Sequence, residues 1–499
     1  EILCITKPLT CVSYVSLRTY CIMFIKSAIL IFLFGVSVLF NTSAQSYIKY
    51  PNNPVIDTLS TTNPNEFWTR WKTDPHVIHW RNDSLRMYYG TNNYGVQTQI
   101  GTAISKDGNN WIEKTDYPVL TTGPAGSWDE LDVETPGVIY IPSNPDSMKY
   151  MLYYSGSQHD TTVLDTLNSG LYPIEIYQIG LAYSNDGINF IKYNDPTNDI
   201  NPLYQNSDPV IRIPSNSGGM PDTINYLFSS VAEPSLIYDS ISSLFKIWHI
   251  GLGCSNPICS GISDFRYRIL YSESIDGINW SSPILALDIG NSGDFDSELI
   301  YAPYVIKMGN EYWMFYGGNT YSSGTFPFFS QKIGLAVSVD GINFTKIPNN
   351  PIITNGPNGS WDHLGTNYPS AIIYKDTLRV YYSGMQDSTF NFKPNIGYFY
   401  LDSSLTGGYL SNDFIFNKIT LFPNPSTNTV FLKAYSSLFD RIKIFNQTGE
   451  LQIEKVFMPT NFYQVNTSTL KNGFYIVSIY HEDENIRDLK IIITEHNKK

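Results

Sequence analysis

Charged residues are scarce in this sequence and make up 15% of its 499 residues. The charges are also unbalanced, with 45 acidic side chains against 32 basic ones and a formal net charge of −13. An acidic surface argues against nucleic acid or anionic lipid as a partner and leaves uncharged sugars open. The sequence also lacks a glycine-rich phosphate loop, an HExxH zinc motif and a GxSxG nucleophile motif. These three chemistries therefore have no support.

Long apolar runs are scarce as well. One apolar run, residues 27–40, follows Met23-Phe24-Ile25-Lys26 and precedes the small residues that end at Ala44. The run is too short for a membrane span of about 20 residues, but its length and flanks are typical of a signal peptide. We therefore predict a signal peptide over 23–44, an upstream extension over 1–22 and no transmembrane span in the mature chain.

Few cysteines remain after this cleavage point. Of five in the chain, only Cys254 and Cys259 follow it, in GCSNPICSG. Two close cysteines in an exported protein favour a disulfide across a loop. A metal site would need further ligands nearby. We predict no cofactor, and leave open a structural calcium ion.

Aromatic residues, glycine and proline are abundant instead, which favours many short strands joined by turns. A heptapeptide occurs four times with little change: SKDGNNW from Ser105, SNDGINF from Ser184, SIDGINW from Ser274 and SVDGINF from Ser338. Asp-Gly after an apolar strand is typical of a tight hairpin turn, because glycine tolerates positive φ.

Each heptapeptide closes a longer repeat of four strand-like segments. The first segment contains a proline (DPHVIHW, TPGVIY, EPSLIY, APYVI, YPSAII), and a fifth copy lacks the Asp-Gly turn and its last strand. Four strands repeated five times are typical of a β-propeller. SYIKYPNNPVID near the N-terminus resembles FTKIPNNPIIT in copy four, so we expect it to complete the last blade. We predict an all-β chain with a five-bladed propeller over residues 46–410.

A second repeat lies between blades. GPAGSWDELDVETP from Gly123 and GPNGSWDHLGTNYP from Gly356 are close copies, and SGDFDSELIYAP from Ser292 is a looser one. We expect Trp128, Trp361 and Phe295 to wedge between adjacent sheets, with the aspartates beside them as turn formers.

The texture changes after residue 410. FPNPSTN, KIFNQTGE, LKNGFYIVSI and the basic ending LKIIITEHNKK fit a small β-sandwich of about seven strands. Together they resemble the C-terminal sorting domain of the type IX secretion system over residues 415–499. The resemblance implies export in a Bacteroidota-type cell, the secretion machinery as a partner, and a secreted or outer-membrane surface location.

The first strand of each propeller blade lines the central axis, so the residues before the five prolines should meet there. Acidic residues stand there in blades one to three, namely Asp74, Asp132, Glu134 and Glu233; Tyr301 and Asn367 stand there in blades four and five, with Glu298 further upstream. Carboxylates gathered around an axis repel, so at least one pKa should rise. Glycoside hydrolysis needs such a pair.

The propeller resembles the five-bladed furanosidase-like enzymes of glycoside hydrolase families 43 and 32. That resemblance implies that Asp74, directly before Pro75, is the base or nucleophile. It implies a general acid in blade three, where the family's glutamate stands two residues before a proline but Glu233 directly precedes Pro234. In a regular strand this departure turns the side chain to the other face. Glu134 or Asp132 would replace the aspartate of blade two.

Other aromatic and polar residues are candidates for sugar binding. Trp68, Arg70 and Trp71 precede blade one and either form a sugar-stacking rim or wedge between blades. His249 replaces a blade tyrosine and is either a packed core histidine or a ligand. Each acidic candidate also has an alternative role at a turn or strand start.

Two classes of function remain open. The first is a secreted glycoside hydrolase that acts on polysaccharide or oligosaccharide through axial carboxylates, and the second is a non-catalytic propeller that binds glycan or protein at the cell surface. A glycoside phosphorylase has less support because no cluster of Arg, Lys or His stands out, and a sialidase would need six blades. We expect a monomer.

Overall fold

The structure is a computed structural model. It describes residues 47–57, 71–81, 83–92, 97–114, 118–159, 175–212, 227–240, 242–254, 265–309, 311–320, 331–375, 377–386, 394–401, 419–422, 424–434, 439–481 and 484–494. The predicted extension and signal peptide lie outside these residues.

Five antiparallel four-stranded units follow one another along the chain. After β1 (Tyr47–Lys49), blade one has β2 (Thr73–Trp80), β3 (Ser84–Thr91), β4 (Gln99–Ser105) and β5 (Ile112–Glu113). Blade two has β6 (Asp132–Tyr140), β7 (Tyr150–His159), β8 (Glu175–Ser184) and β9 (Ile191–Lys192), with β10 (Pro209–Ile211) also paired to β8. Three short 3-10 turns, Asp146–Met148, Pro196–Asn198 and Pro202–Tyr204, lie in its connections.

The remaining blades repeat this order. Blade three has β11 (Leu227–Asp239), β12 (Leu244–Cys254), β13 (Phe265–Ser274) and β14 (Ile284–Leu287). Blade four has β15 (Leu299–Met308), β16 (Glu311–Asn319), β17 (Lys332–Ser338) and β18 (Thr345–Lys346). Blade five has β19 (Gly365–Tyr374), β20 (Thr377–Met385) and β21 (Asn395–Leu401), completed by β1.

The first strands of the blades form a closed ring. β2 contacts β6, β6 contacts β11, β11 contacts β15, β15 contacts β19, and β19 contacts β2 again. β1 pairs antiparallel with β21 in the register Tyr47↔Leu401 and Lys49↔Phe399, so the N-terminal strand supplies the fourth strand of the last blade. The β-propeller fold predicted from the repeats is confirmed.

The repeated Asp-Gly turns connect each third strand to the fourth and also fasten neighbouring blades together. Within one turn, Ser274 Oγ accepts from the N–H of Gly277, and Asp276 accepts from two backbone N–H groups. A donor from the preceding blade then reaches the turn glycine's carbonyl oxygen: Tyr88 to Gly187, Tyr153 to Gly277, Trp248 to Gly341 and Tyr381 to Gly108, at 2.8–2.9 Å. Because blade five lacks the turn, blade four needs no such donor and has Phe315 at the equivalent place.

The wedge repeats pack as expected, but their aspartates do more than form turns. Trp128 is fully buried against Tyr154, at 5.7 Å between ring centroids. Asp129 accepts from the Tyr154 hydroxyl and pairs with Lys192 on the fourth strand at 2.5 Å. The same trio recurs as Asp296 with Tyr316 and Lys346, and as Asp362 with Tyr382 and Lys49. The expectation of simple turn formers was therefore incomplete.

The C-terminal segment is a β-sandwich of seven strands. One sheet has the order β22 (Ile419–Phe422), β23 (Thr429–Ala434) and β26 (Phe462–Asn466). The other has the order β25 (Leu451–Thr460), β24 (Phe439–Phe445), β27 (Gly473–His481) and β28 (Glu484–Ile493). One hydrophobic core joins them, with Val430 and Leu432 from the first sheet packed with Ile444 and Val477 from the second.

Candidate active site

The residue before the first-strand proline has a left-handed backbone in all five blades. These residues are Asp74, Thr135, Glu233, Ala302 and Tyr368, with φ between 47° and 60°. A residue before proline normally takes an extended backbone, and a left-handed non-glycine residue costs about 1–2 kcal/mol. At each of these positions the pairing with the second strand shifts register, which is a β-bulge that re-aims the side chain.

The five bulges surround one small cavity where the first strands meet. It has a volume of about 30 Å³ and is lined by the five left-handed residues, the five prolines that follow them, His76 and Tyr304. Such a volume holds about two water molecules.

Asp74 enters this cavity from blade one. Its carboxylate accepts hydrogen bonds from the Thr73 hydroxyl at 2.7 Å and from the backbone N–H of Thr135, and its own N–H donates to Ser383 Oγ at 3.0 Å. Burial raises the pKa of Asp74, while the bonds from Thr73 and Thr135 oppose that rise. Its backbone is therefore fixed by blade five and its carboxylate by blade two.

Glu233 enters the same cavity from blade three. Its Oε2 accepts from the N–H of Ala302 at 2.5 Å, the Tyr368 hydroxyl donates to the carboxylate, and its own N–H donates to Ser155 Oγ. Burial raises the pKa of Glu233 to about 8; the negative charge of Asp74 adds to the rise, and the bonds from Ala302 and Tyr368 oppose it. The two acids thus interact electrostatically across the cavity.

The expected turn of Glu233 to the opposite face does not occur. That expectation assumed a regular strand with alternating side chains. Because the strand bulges at Glu233, as it does at Asp74, both side chains line one cavity.

The other acidic candidates lie outside the cavity lining. Glu134 is half-buried one residue before Thr135, and its charge acts on Tyr368. Asp132 accepts from the N–H of Thr98 at 2.5 Å and so links blade two to blade one. Glu298 is half-buried at the start of blade four.

The candidate binding residues are dispersed. Tyr301 is buried with its ring 6.0 Å from that of Tyr368, and Asn367 donates to Gln331 Oε1. His249 is fully buried inside blade three, its Nδ1 lies 3.0 Å from the Ile250 carbonyl oxygen, and burial lowers its pKa to about 4. These features favour the packed core histidine.

Three further candidates are only partly described. Trp71 is half-buried and does not line the cavity. Trp68, Arg70 and Cys259 lie outside the described residues, and for Cys254 only the backbone, at the end of β12, is described. The disulfide therefore stays a prediction.

Sequence reasoning missed Tyr368, Thr135 and His76. A signal for the first two was available: strict alignment on the five prolines selects Thr135 and Tyr368, rather than Glu134 and Asn367. His76 lies two residues after Asp74 and its Nε2 is 2.9 Å from the Val138 carbonyl oxygen, so it contacts blade two. No sequence pattern pointed to it.

No group of three or more His, Cys, Asp or Glu side chains in the described part of the chain could hold a metal ion. No helix there is long and apolar enough to span a membrane.

The C-terminal sandwich has a recognised family. Residues 420–494 match the secretion system C-terminal sorting domain. The predicted sorting domain is confirmed, and with it a location outside the cell or at the outer-membrane surface.

The propeller has more distant relatives. The A type blood N-acetyl-α-D-galactosamine deacetylase of Flavonifractor plautii is 23% identical over 394 residues, which are 73% of this chain and 46% of that protein. The chain thus spans about half the length of this curated relative. An uncharacterized protein of Mycobacterium tuberculosis is 22% identical over 64% of this chain and 89% of its own length.

Solved structures include similar chains at low identity. The deacetylase of F. plautii, in complex with blood group B trisaccharide, matches with a TM-score of 0.45 and 16% identity, over 72% of this chain and 94% of its own. A thermostable family-43 glycoside hydrolase matches with a TM-score of 0.46 and 19% identity, over 66% and 88%. A glycosyl hydrolase from Bacteroides ovatus matches with a TM-score of 0.48 and 14% identity, over 72% and 94%.

Proposed function

We propose that the chain is a secreted glycoside hydrolase in which Glu233 is the general acid and Asp74 the base or nucleophile. The observation that carries the proposal is that these two carboxyl groups, from blades one and three, line one axial cavity, where the charge of Asp74 raises the pKa of Glu233. Burial keeps Glu233 protonated near neutral pH, as a general acid requires. Burial also raises the pKa of Asp74, to about 7, against two donors that favour its ionised form, so Asp74 is partly ionised near neutral pH.

The reaction then consumes one water molecule. Glu233 transfers its proton to the glycosidic oxygen as the bond between that oxygen and the anomeric carbon breaks. Asp74 either takes a proton from the attacking water or attacks the anomeric carbon itself, in which case water hydrolyses the glycosyl-enzyme in a second step. The second acidic partner of blade two, Glu134 or Asp132, has weaker support because neither lines the cavity.

Release of reducing sugar from a panel of polysaccharides and oligosaccharides tests this proposal. We expect Asp74→Asn and Glu233→Gln each to lower kcat by at least about 10²-fold, the range that acid–base groups typically supply. Glu311→Gln, which changes an exposed carboxylate outside the cavity, is the matched control and should keep full activity. Unchanged activity in both cavity variants would rule the mechanism out.

Deacetylation of an N-acetylated sugar is a second candidate, because the F. plautii relative, which is similar over 73% of this chain, is an N-acetyl-α-D-galactosamine deacetylase. Acetate release should be measured in the same panel. Acetate without cleaved glycan would select deacetylation, and glycan-array binding without either product would select the non-catalytic binding propeller.

A further inference from the structure

Tyr368 is the member of the left-handed ring that belongs to blade five. Its backbone φ is 49°, it precedes Pro369, and it lines the axial cavity. Its ring packs edge-on against that of Tyr301 at 6.0 Å. The side chain therefore has a fixed position beside the acids of blades one and three.

Tyr368 and Glu233 line the same axial cavity, where the Tyr368 hydroxyl acts as a donor that lowers the pKa of the Glu233 carboxyl group against the larger effect of burial. Burial raises the pKa of Tyr368 well above its ordinary value, and the negative charges of Glu233, Asp74 and Glu134 raise it further. The phenol thus keeps its proton throughout the physiological range. The hydroxyl of Tyr368 therefore remains a hydrogen-bond donor beside Asp74 and Glu233.

Glu233 has two described donors, the N–H of Ala302 and the hydroxyl of Tyr368. We propose that Tyr368 is a positioning residue for Glu233, which holds its carboxyl group in the axial cavity and stabilises the carboxylate once its proton has been transferred. This role rests on the proposed glycoside hydrolysis, in which Glu233 must part with a proton. The backbone donor cannot be removed by substitution, so Tyr368 is where the role can be tested.

Several titratable groups lie around Glu233. Asp74, His76 and Tyr304 line the cavity with it. The charge of Glu233 acts on Tyr301 and Tyr368, and the charge of Glu134 acts on Tyr368 as well. A substitution at Tyr368 must therefore be compared with one that leaves all of these in place. Tyr304→Phe is such a control, because Tyr304 lines the same cavity but its hydroxyl bonds to Ser370.

Direct titration of Glu233 tests the proposal without any substrate. The full chain is labelled with [¹³C]carboxyl glutamate, and the Glu233 signal is assigned by its loss in Glu233→Gln. In Tyr368→Phe we expect the Glu233 midpoint to rise by about one pH unit, a tenfold change in proton affinity, since a charge-stabilising donor is lost. Tyr304→Phe should leave the midpoint unchanged. An unmoved midpoint in Tyr368→Phe, or an equal shift in both variants, would overturn the proposal.

Kinetic measurements distinguish the role of Tyr368 from the proposed hydrolase activity. On a substrate that the wild type cleaves, Tyr368→Phe should lower kcat more than it changes KM and move the alkaline limb of the pH profile upward. Absence of sugar release by the wild type contradicts the hydrolase and leaves the titration result standing. Sugar release with an unmoved midpoint contradicts only the role of Tyr368.

Discussion

A left-handed residue before each first-strand proline decides which side chains reach the axis. Asp74 and Glu233 supply the two carboxyl groups, Tyr368 supplies a hydroxyl group, and Thr135 and Ala302 complete the ring with smaller side chains. Strained backbone of this kind is held in place by the surrounding structure, here by serine hydroxyls of the neighbouring blade. The strained positions are thus the ones that hold the two proposed catalytic acids.

Stability should depend on pH through Glu233. Its pKa is raised to about 8 in the folded chain, against about 4.3 when unfolded. A group with a raised folded pKa contributes stability that is full below pH 4 and is lost as pH rises through 8. Between pH 5 and 8 we therefore expect the free energy of unfolding of the wild type to fall more than that of Glu233→Gln, by roughly 3–4 kcal/mol.

Urea unfolding at pH 5 and pH 8 measures this difference. Glu311→Gln, with its exposed carboxylate, should follow the wild type at both values. Parallel curves for wild type and Glu233→Gln would show that the carboxyl group titrates as it does in the unfolded chain.

At the scale of secondary-structure elements, the Asp-Gly turn could be predicted from the sequence, but its link to the preceding blade could not. The sequence was sufficient to predict the turn, because serine, aspartate and glycine at fixed spacing specify a local hydrogen-bond pattern. The link to the preceding blade could not be predicted in the same way, since Tyr153 and Gly277 are far apart in sequence and meet only after the sheets pack. Blade four has Phe315 at the position of these donors, and the next blade has no Asp-Gly turn to accept a hydrogen bond. This difference agrees with the link, but it is recognised only when the blades are aligned.

Gly277→Ala should destabilise the propeller more than an equivalent change at an open turn. Gly277 has φ +75°, and an added Cβ would lie 2.5 Å from the Tyr153 hydroxyl oxygen. Gly309 has φ +64° with no atom within 4 Å of such a Cβ. We expect about 1 kcal/mol for Gly309→Ala from backbone strain alone, and roughly 2–4 kcal/mol for Gly277→Ala, where a hydrogen bond is also lost.

Urea unfolding midpoints compare the two variants, with Tyr153→Phe as a third that removes only the hydrogen bond. Its cost should be about 1 kcal/mol. Equal costs for the two glycine variants would mean that the turn does not fasten the blades.

The lysine partners of the wedge aspartates could not be predicted from the wedge motif alone. Asp129, Asp296 and Asp362 are nearly inaccessible, so each needs a cation. Lys192, Lys346 and Lys49 provide it from the fourth strand of the same blade. Blade one reverses the charges, with buried Lys72 paired to Glu113 on its fourth strand. These lysines occur in the sequence segments FIK, FTK and YIK, but only the fold shows that they pair with the wedge aspartates.

At the scale of the whole molecule, the closed ring explains why acids far apart in sequence meet. The repeat count and the N-terminal copy of PNNP were enough to predict both the ring and its closing strand. The site was predicted less well, because its geometry depends on five bulges that break the alternation of side chains. Asp74 and Glu233, which line the axial cavity, were named from residue type and position. Tyr368, which also lines it, was missed because Asn367 was chosen instead of the residue directly before the proline of blade five.

Ring closure should depend on Lys49 in a way that blade four does not depend on Lys346. Each lysine pairs with a wedge aspartate at 2.6 Å, and each aspartate is 2% exposed. Loss of either cation leaves a buried charge, which costs roughly 3–5 kcal/mol. Lys49 alone also donates to the Thr354 carbonyl oxygen and anchors a strand that pairs with β21 through only three residue pairs.

Hydrogen exchange followed by mass spectrometry distinguishes the two variants. Lys49→Met should speed exchange along β21 and lower the unfolding midpoint further than Lys346→Met, whose effect should stay within β17 and β18. Adding Asp362→Asn to Lys49→Met removes the stranded charge and should restore part of the midpoint, while β21 stays less protected because the anchor to Thr354 is still missing. The prediction fails if the two single variants lose protection only around their own aspartates and to the same extent. In that case β1 is held by its backbone pairing, and ring closure does not require Lys49.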